Sequence, residues 1–252
     1  MTPESEEKKM NDLLAEAVER YASRSGNTPG KVRAVLFDMD GVLYDSMPGH
    51  ARAWKQMCDE NGIVAEEDEF YAYEGRTGAS TIDILFRRQF DRGATEEDVR
   101  RLYARKSEIF KALGLPRLMP CAFDAVSAVL SSGALPVLVT GSGQASILER
   151  LATDYPGAFP PERRVTSHDV RHGKPDPEPY LMGLEKAGVA LTEAVAVDNA
   201  PLGVESASRA GILTIGVRTG PLPPGMLLEA GADVELDSMQ ACAQMLRFIF
   251  TV

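Results

Sequence analysis

Apolar and polar positions follow two rhythms along this chain, and the change between them falls near residue 118. The first strong feature is the apolar run Val32, Ala34, Val35, Leu36 and Phe37, which predicts a buried parallel strand. From about residue 49 to 117 the apolar positions return at helical spacing instead. Ala51, Trp54, Met57 and Cys58 make one stripe; Ile82, Leu85, Phe86 and Phe90 a second; Val99, Leu102, Tyr103, Ile109 and Phe110 a third. No run inside that block reads as a strand. Beyond residue 118, short apolar runs at 135–139, 194–197 and 212–217 each precede a helical segment. Strand–helix alternation of this kind predicts a parallel sheet with helices on both faces.

The fold class is therefore α/β: a Rossmann-like parallel sheet core with a helical cap domain inserted after the first strand. The core takes residues 31–48 and 118–252, and the cap residues 49–117. A cap inserted there lies over the carboxyl edge of the sheet, where it would exclude water and choose the substrate. Ahead of the core, residues 1–30 stand apart. Leu13, Leu14, Ala17, Val18 and Tyr21 repeat at helical spacing, and residues 23–30 form a polar, Gly/Pro-containing linker. The pattern predicts an amphipathic helix that packs on the domain or on a partner.

Composition narrows the function classes. With 44% apolar and 25% charged residues the chain reads as an ordinary globular protein. Its net charge of −10 disfavours nucleic acid and anionic membranes as partners. It also makes an anionic substrate awkward without a local cation. Three scattered cysteines, Cys58, Cys121 and Cys242, predict reduced thiols in a cytoplasmic compartment, with no disulfide framework and no zinc site. No apolar stretch is long enough to span a bilayer, and the acidic amino terminus does not read as a signal peptide.

Four polar clusters sit where the predicted strands end. The first strand delivers Asp38 and Asp40 onto the Gly41 turn, at the edge where open α/β sheets bind ligands. Two carboxylates at one strand tip repel unless a cation joins them. A hard metal such as Mg²⁺ resolves the conflict and leaves a carboxylate oxygen free to attack an electrophile. A plain Asp/Gly turn is the competing reading. The run at 135–139 ends in Thr140-Gly141-Ser142-Gly143, a hydroxyl and exposed amides suited to phosphate oxygens. Lys174 lies on a loop stiffened by Pro175, Pro177 and Pro179, the latter two suited to a helix start. The run at 194–197 ends in Asp198-Asn199-Ala200-Pro201, another strand tip with oxygen ligands.

Asp-x-Asp-Gly-Val, Thr-Gly-Ser, Gly-Lys-Pro and an acidic strand end, in this order, resemble the haloacid dehalogenase superfamily across residues 31–252. The insertion after the first motif, with Glu74-Gly75-Arg76-Thr77-Gly78, resembles the beta-phosphoglucomutase-like branch and especially its pyrophosphatase-type members. The resemblance implies Asp38 as nucleophile, forming an aspartyl-phosphate, and Asp40 as general acid and then base. It implies Asp40 as a metal ligand through its main-chain carbonyl, and Thr140 and Lys174 as holders of the transferring phosphoryl group. Gly141 and Ser142 join the substrate site.

The chain departs from the family pattern in its fourth motif. Anchored on Gly203, Asp198 aligns with the first acid, and Asn199 takes the place of the usual metal-binding aspartate. An amide oxygen can ligate Mg²⁺ but brings no charge. Glu74 is the candidate for the missing charge, against the alternative of a surface pair with Arg76. Where sugar-phosphate mutases of the branch carry a phosphate-anchoring arginine, this chain has Gly78. That favours hydrolysis of something small, although Arg76 pointing inward would restore a mutase. His50 also matches a mutase-like position near the nucleophile, with a structural role as its alternative; His168 and His172 read as surface residues. The leading expectation is a Mg²⁺-dependent phosphohydrolase acting on a small phosphorylated metabolite or inorganic pyrophosphate. A beta-phosphoglucomutase and a non-catalytic regulatory protein compete with it. The oligomeric state stays open.

Overall fold

The structure, a computed structural model, describes residues 3–143 and 145–251. Residues 1, 2 and 252 of the predicted terminal segments lie outside it, as does Gln144 beside the Thr-Gly-Ser-Gly cluster. In chain order the elements are α1 (Pro3–Ser25), β1 (Ala34–Phe37), β2 (Tyr44–Asp45), α2 (Met47–Glu60) and α3 (Glu69–Ala72). Then come α4 (Gly78–Phe90), α5 (Glu96–Ala112), β3 (Arg117–Leu118), α6 (Ala122–Ser132), β4 (Leu135–Val139) and α7 (Ala145–Asp154). The chain finishes through β5 (Arg164–Val165), α8 (Glu178–Ala187), β6 (Ala194–Asp198), α9 (Pro201–Arg209), β7 (Leu213–Val217), α10 (Met226–Glu229), β8 (Val234–Leu236) and α11 (Met239–Ile249).

Six strands form one parallel sheet in the order β5-β4-β1-β6-β7-β8. β1 is central, so its apolar run is buried on both faces and its side chains divide between two cores. Val35 and Phe37 face the layer of α6 and α11, while Ala34 and Leu36 face α8 and α9. The chain leaves β1 toward β4 and β5, then crosses back to β6 on the other flank. That reversal makes the carboxyl end of β1 the switch point where such sheets open a crevice. Asp38 lies there, its amide still bonded to Val197 O at 2.9 Å.

The cap is α2–α5, joined to the core by an antiparallel ribbon of β2 and β3. This ribbon was not expected from the sequence, and neither were β5 and β8, because two- and three-residue strands carry too few alternations to read. The first cap helix begins at Met47, two residues before the expected boundary. The three stripes do pack together, with Trp54, Met57, Ile82, Leu85, Leu102 and Ile109 buried. Phe90 is the exception: it ends α4 and is 45% exposed.

The amino-terminal helix is longer than its apolar spacing implied, and it packs on the core itself. Ala17 and Tyr21 are buried, and the Tyr21 hydroxyl donates to Gly211 O at 3.1 Å. Arg24 pairs with buried Asp233 at 2.7 Å and donates to Ser208 O and Ile212 O, tying the end of α1 to the β7–β8 edge. All three cysteines are free thiols. No helix among the described residues is long and apolar enough to cross a membrane.

Candidate active site

Two strand ends and the loop before α8 converge on one buried charge cluster. The Lys174 ammonium donates to Asp38 Oδ1 at 2.6 Å and to Asp198 Oδ2 at 2.7 Å, and all three side chains are buried. Asp198 Oδ2 also accepts from the Tyr180 hydroxyl at 2.6 Å, and Oδ1 from the Ala200 amide at 3.0 Å. It orients Lys174 in this geometry, and Oδ1, with one bond, keeps the capacity to ligate a cation. Tyr180, missed from the sequence, reaches Asp198 from α8, which starts at the expected Pro177–Pro179 segment.

Burial pushes the Asp38 carboxyl up to about 7, against the pull of Lys174, with Asp198 and Asp40 adding to the rise. For Lys174, burial opposes the charge, but Asp198 and Asp38 outweigh it and hold the ammonium firmly protonated. A positive site would suit phosphate, whereas here carboxylates outnumber the cations in contact with them. Such an imbalance calls for a further cation or for protons.

Asp40 is held differently. Ser46 Oγ donates to its Oδ1 at 2.5 Å, and His50 Nε2 lies 3.0 Å from the same oxygen. Behind His50, Lys106 Nζ is 2.6 Å from Nδ1, and the imidazole stacks on Phe110 with centroids 4.1 Å apart. An ammonium against Nδ1 puts the imidazole proton on Nε2, facing Asp40. Burial raises the Asp40 pKa, but His50, Ser46 and Lys106 together bring it below the usual carboxylate range. Burial and Lys106 lower the His50 pKa, so the ring is neutral at pH 7. His50 is thus brought to the site as a partner of Asp40. Ser46 and Lys106 were overlooked; a lysine between Leu102 and Phe110 on an apolar stripe was the available signal.

Glycines let the cap loop press onto the core. Gly41 turns with φ +80, and a Cβ there would overlap the Asn199 amide. Gly75 turns with φ +86, and a Cβ on Gly141 would lie 2.6 Å from Gly75 O. That contact brings buried Glu74 to Asn199, whose Nδ2 donates to Glu74 Oε1 at 2.8 Å. No ion pair joins Glu74 to Arg76 among the described residues; Arg76 Nη1 instead donates to Ser80 Oγ at 3.2 Å. Burial raises the Glu74 pKa well above the ordinary value despite the Asn199 bond. Gly78 is not part of the turn. It opens α4 behind the Thr77 cap, and a Cβ there would overlap the Tyr103 ring.

Asp38, Asp40, His50, Glu74, Arg76, Lys106, Gly141 and Ser142 line one cavity of about 60 Å³ between cap and core. Thr140 is buried beneath it, its Oγ1 accepting the Ser142 amide at 3.0 Å. His172 lies outside, exposed and bonded to Glu178. His168 is exposed as well, its Nε2 3.4 Å from Gly143 O. The donor set suits Mg²⁺: carboxylate oxygens of Asp38 and Glu74, and Asn199 Oδ1, which is buried with no hydrogen-bond partner. An orphaned amide oxygen among carboxylates is accounted for by a hard cation that it would ligate.

Comparison with known proteins shows the family. The family profile of the haloacid dehalogenase-like hydrolases matches residues 32–211. Hexitol phosphatase A of Escherichia coli is 33% identical over 189 residues, covering 74% of this chain and 83% of that protein. A phosphorylated carbohydrates phosphatase of Thermotoga maritima is 32% identical over 203 residues, covering 80% and 92%. A solved Bacteroides vulgatus structure, provisionally assigned as a beta-phosphoglucomutase, superposes with a TM-score of 0.91 at 42% identity, covering 96% and 98%.

Proposed function

The chain belongs to the haloacid dehalogenase-like hydrolase family, and on that premise we propose a Mg²⁺-dependent phosphohydrolase that acts through an aspartyl-phosphate. Its substrate is a small phosphorylated metabolite, of the phosphorylated-carbohydrate kind its relatives are named for, or inorganic pyrophosphate. The observation that carries the reading is the Glu74–Asn199 contact beside Asp38, with the Asn199 amide oxygen left for a cation.

Asp38, Glu74, Asn199 and the Asp40 main-chain carbonyl are the residues that would hold Mg²⁺. Once bound, the ion offsets the charge of these carboxylates and of the phosphoryl oxygens. An oxygen of Asp38 attacks phosphorus, and the bond from phosphorus to the leaving oxygen breaks. Asp40, held by Ser46 and His50 and ionised before substrate arrives, takes up the proton that a phosphate monoanion brings in and gives it to that leaving oxygen. Water then attacks the aspartyl-phosphate; Asp40 takes the water proton, phosphate departs, and the Asp38 carboxylate is restored. Lys174 and Thr140 hold phosphoryl oxygens throughout, and the amides of Gly141 and Ser142 add donors. His50 and Lys106 position Asp40, while Arg76 faces the leaving group from the cap. Free thiols fit work in a reducing cytoplasm.

A beta-phosphoglucomutase is the second reading, favoured by the Bacteroides vulgatus match and by Arg76, which lines the cavity as that reading requires. Against it stands Gly78 in place of an anchoring arginine. Product analysis separates the two. With Mg²⁺, the hydrolase reading expects phosphate from pyrophosphate or a sugar phosphate. Glucose 6-phosphate formed from beta-glucose 1-phosphate, with no free phosphate, would replace it with the mutase.

A further inference from the structure

Tyr180 is a buried group beside the site that the catalytic steps leave unused. It stands in the first turn of α8, six residues after Lys174, at the end of the segment Gly-Lys-Pro-Asp-Pro-Glu-Pro-Tyr. Its ring is fully buried among apolar side chains on one face of the sheet, where a phenol hydroxyl needs a partner. That partner is Asp198 Oδ2, at 2.6 Å, the same oxygen that accepts the Lys174 ammonium at 2.7 Å. The ammonium also lies 5.2 Å from the centre of the Tyr180 ring, so one side chain meets both members of the pair. Burial, with Asp198 and Asp38 adding to it, pushes the phenol well above its ordinary range, and the hydroxyl remains a donor. Asp198 is seated against the Gly203 backbone so closely that a Cβ there would overlap its carboxylate. The Lys174 loop is held separately: the Ser206 hydroxyl donates to Asp176 O at 2.5 Å, and Arg209 Nη1 to Pro175 O at 3.2 Å. The loop backbone thus has its own supports, and the Tyr180 hydroxyl acts on the charge of Asp198.

We propose that Tyr180 is a positioning residue for Lys174: by sharing Asp198 Oδ2, its hydroxyl keeps the ammonium on the transferring phosphoryl group while charge leaves Asp38. The inference rests on the phosphohydrolase reading above. Lys174 stands between two carboxylates at nearly equal distances, 2.6 and 2.7 Å. Among the described residues it donates to these two, and its third N–H is left for a phosphoryl oxygen. Attack on phosphorus turns the Asp38 carboxylate into an acyl phosphate, so its negative charge moves out onto the phosphoryl oxygens. Of the two original partners only Asp198 is then still charged, and in a buried site its pull on the ammonium is strong. A second donor on Oδ2 takes one of that oxygen's lone pairs and offsets part of its charge. Lys174 is thereby free to follow the charge outward.

The test uses the full chain in Mg²⁺ with pyrophosphate and glucose 6-phosphate, for wild type, Tyr180→Phe, Asp198→Asn and the double variant Asp198→Asn/Tyr180→Phe. Tyr180→Phe loses one oxygen and keeps the ring. For whichever compound wild type turns over, it should lower kcat about tenfold and leave KM within about twofold, the split of an interaction made in the transition state. Orthovanadate, which imitates five-coordinate phosphorus, should inhibit Tyr180→Phe about tenfold less well, while inorganic phosphate binds within about twofold of wild type. In the Asp198→Asn background the Tyr180 change should add nothing to either loss, because no charge is left there to offset. Near-ultraviolet circular dichroism checks that each variant is folded. Wild-type kcat and vanadate inhibition in folded Tyr180→Phe overturn the proposal. Equal losses for phosphate and vanadate, or additive effects in the double variant, overturn it as well, since they mark a role in the fold alone. Should no protein turn over either compound, the phosphohydrolase reading falls. Calorimetric binding of vanadate against phosphate then decides the role of Tyr180 by the same ratio.

Discussion

Two buried lysines face this site from its two domains, and they are held in opposite ways. Lys174, from the core, touches two carboxylates at 2.6 and 2.7 Å, and its ammonium is stabilised far beyond its ordinary state. Lys106, from the cap, meets no carboxylate at bonding distance. Its neighbours are a neutral imidazole and the rings of Trp54 and Phe110, 5.1 and 5.2 Å from the ammonium. Burial drives its pKa down to about 7, with only Asp40 pulling the other way. The core lysine is thus a fixed charge that the fold depends on. The cap lysine is a charge kept at a cost, as expected of a group retained for a site and not for stability. Chemistry is built on strand ends whose register is fixed, and tuning is built on helices that can separate from them.

The largest effect is expected inside the core. Asp38→Asn removes the attacking oxygen's charge, and phosphate release should fall by about 10⁴-fold or more. Full activity in that variant would leave the core without its assigned nucleophile and would revive a different catalytic group. Next, Lys174→Met strands Asp38 and Asp198 as buried carboxylates. Denaturant unfolding in the presence of chelator should show a loss of about 3–5 kcal/mol.

The matching change in the cap, Lys106→Met, sharpens the contrast. It should leave stability at pH 7 within about 1 kcal/mol of wild type, or raise it, because an apolar side chain replaces a desolvated charge. Its pH dependence has a definite sign. Between about 7 and the ordinary lysine range the unfolded chain binds the proton that folded Lys106 has lost, so wild-type stability rises with pH across that window. The Met variant lacks this rise. Unfolding at pH 7 and pH 9.5 would therefore show wild type gaining on the variant; parallel behaviour would contradict the assigned environment of Lys106.

The same division governs what the sequence made legible. Asp38, Asp40, Thr140 and Lys174 follow apolar runs or proline-stiffened turns, so spacing alone placed them at one edge of a sheet. The α/β core and the inserted cap were legible for the same reason. Lys106 and Ser46 were not, because their roles depend on how helices cross, and helical stripes do not encode that. Glu74 was legible only as a charge waiting for a place. Asp198 was legible as an acid at a strand end, but residue type alone could not show its bonds to Lys174, Tyr180 and the Ala200 amide. Gly78 was legible only as a missing arginine, whereas in the structure it also makes room for the Tyr103 ring.

The join between the two regions is the Glu74–Asn199 contact, through which we propose that the cap supplies the charge lacking beside Asn199. The direct test is phosphate release measured against Mg²⁺ concentration for wild type and Glu74→Gln. If the cap completes the metal site, the variant should need about 10–100-fold more Mg²⁺ for half-maximal rate, with cap and core otherwise intact. An unchanged Mg²⁺ dependence would mean that the core holds its metal alone and that Glu74 serves only the fit of the cap.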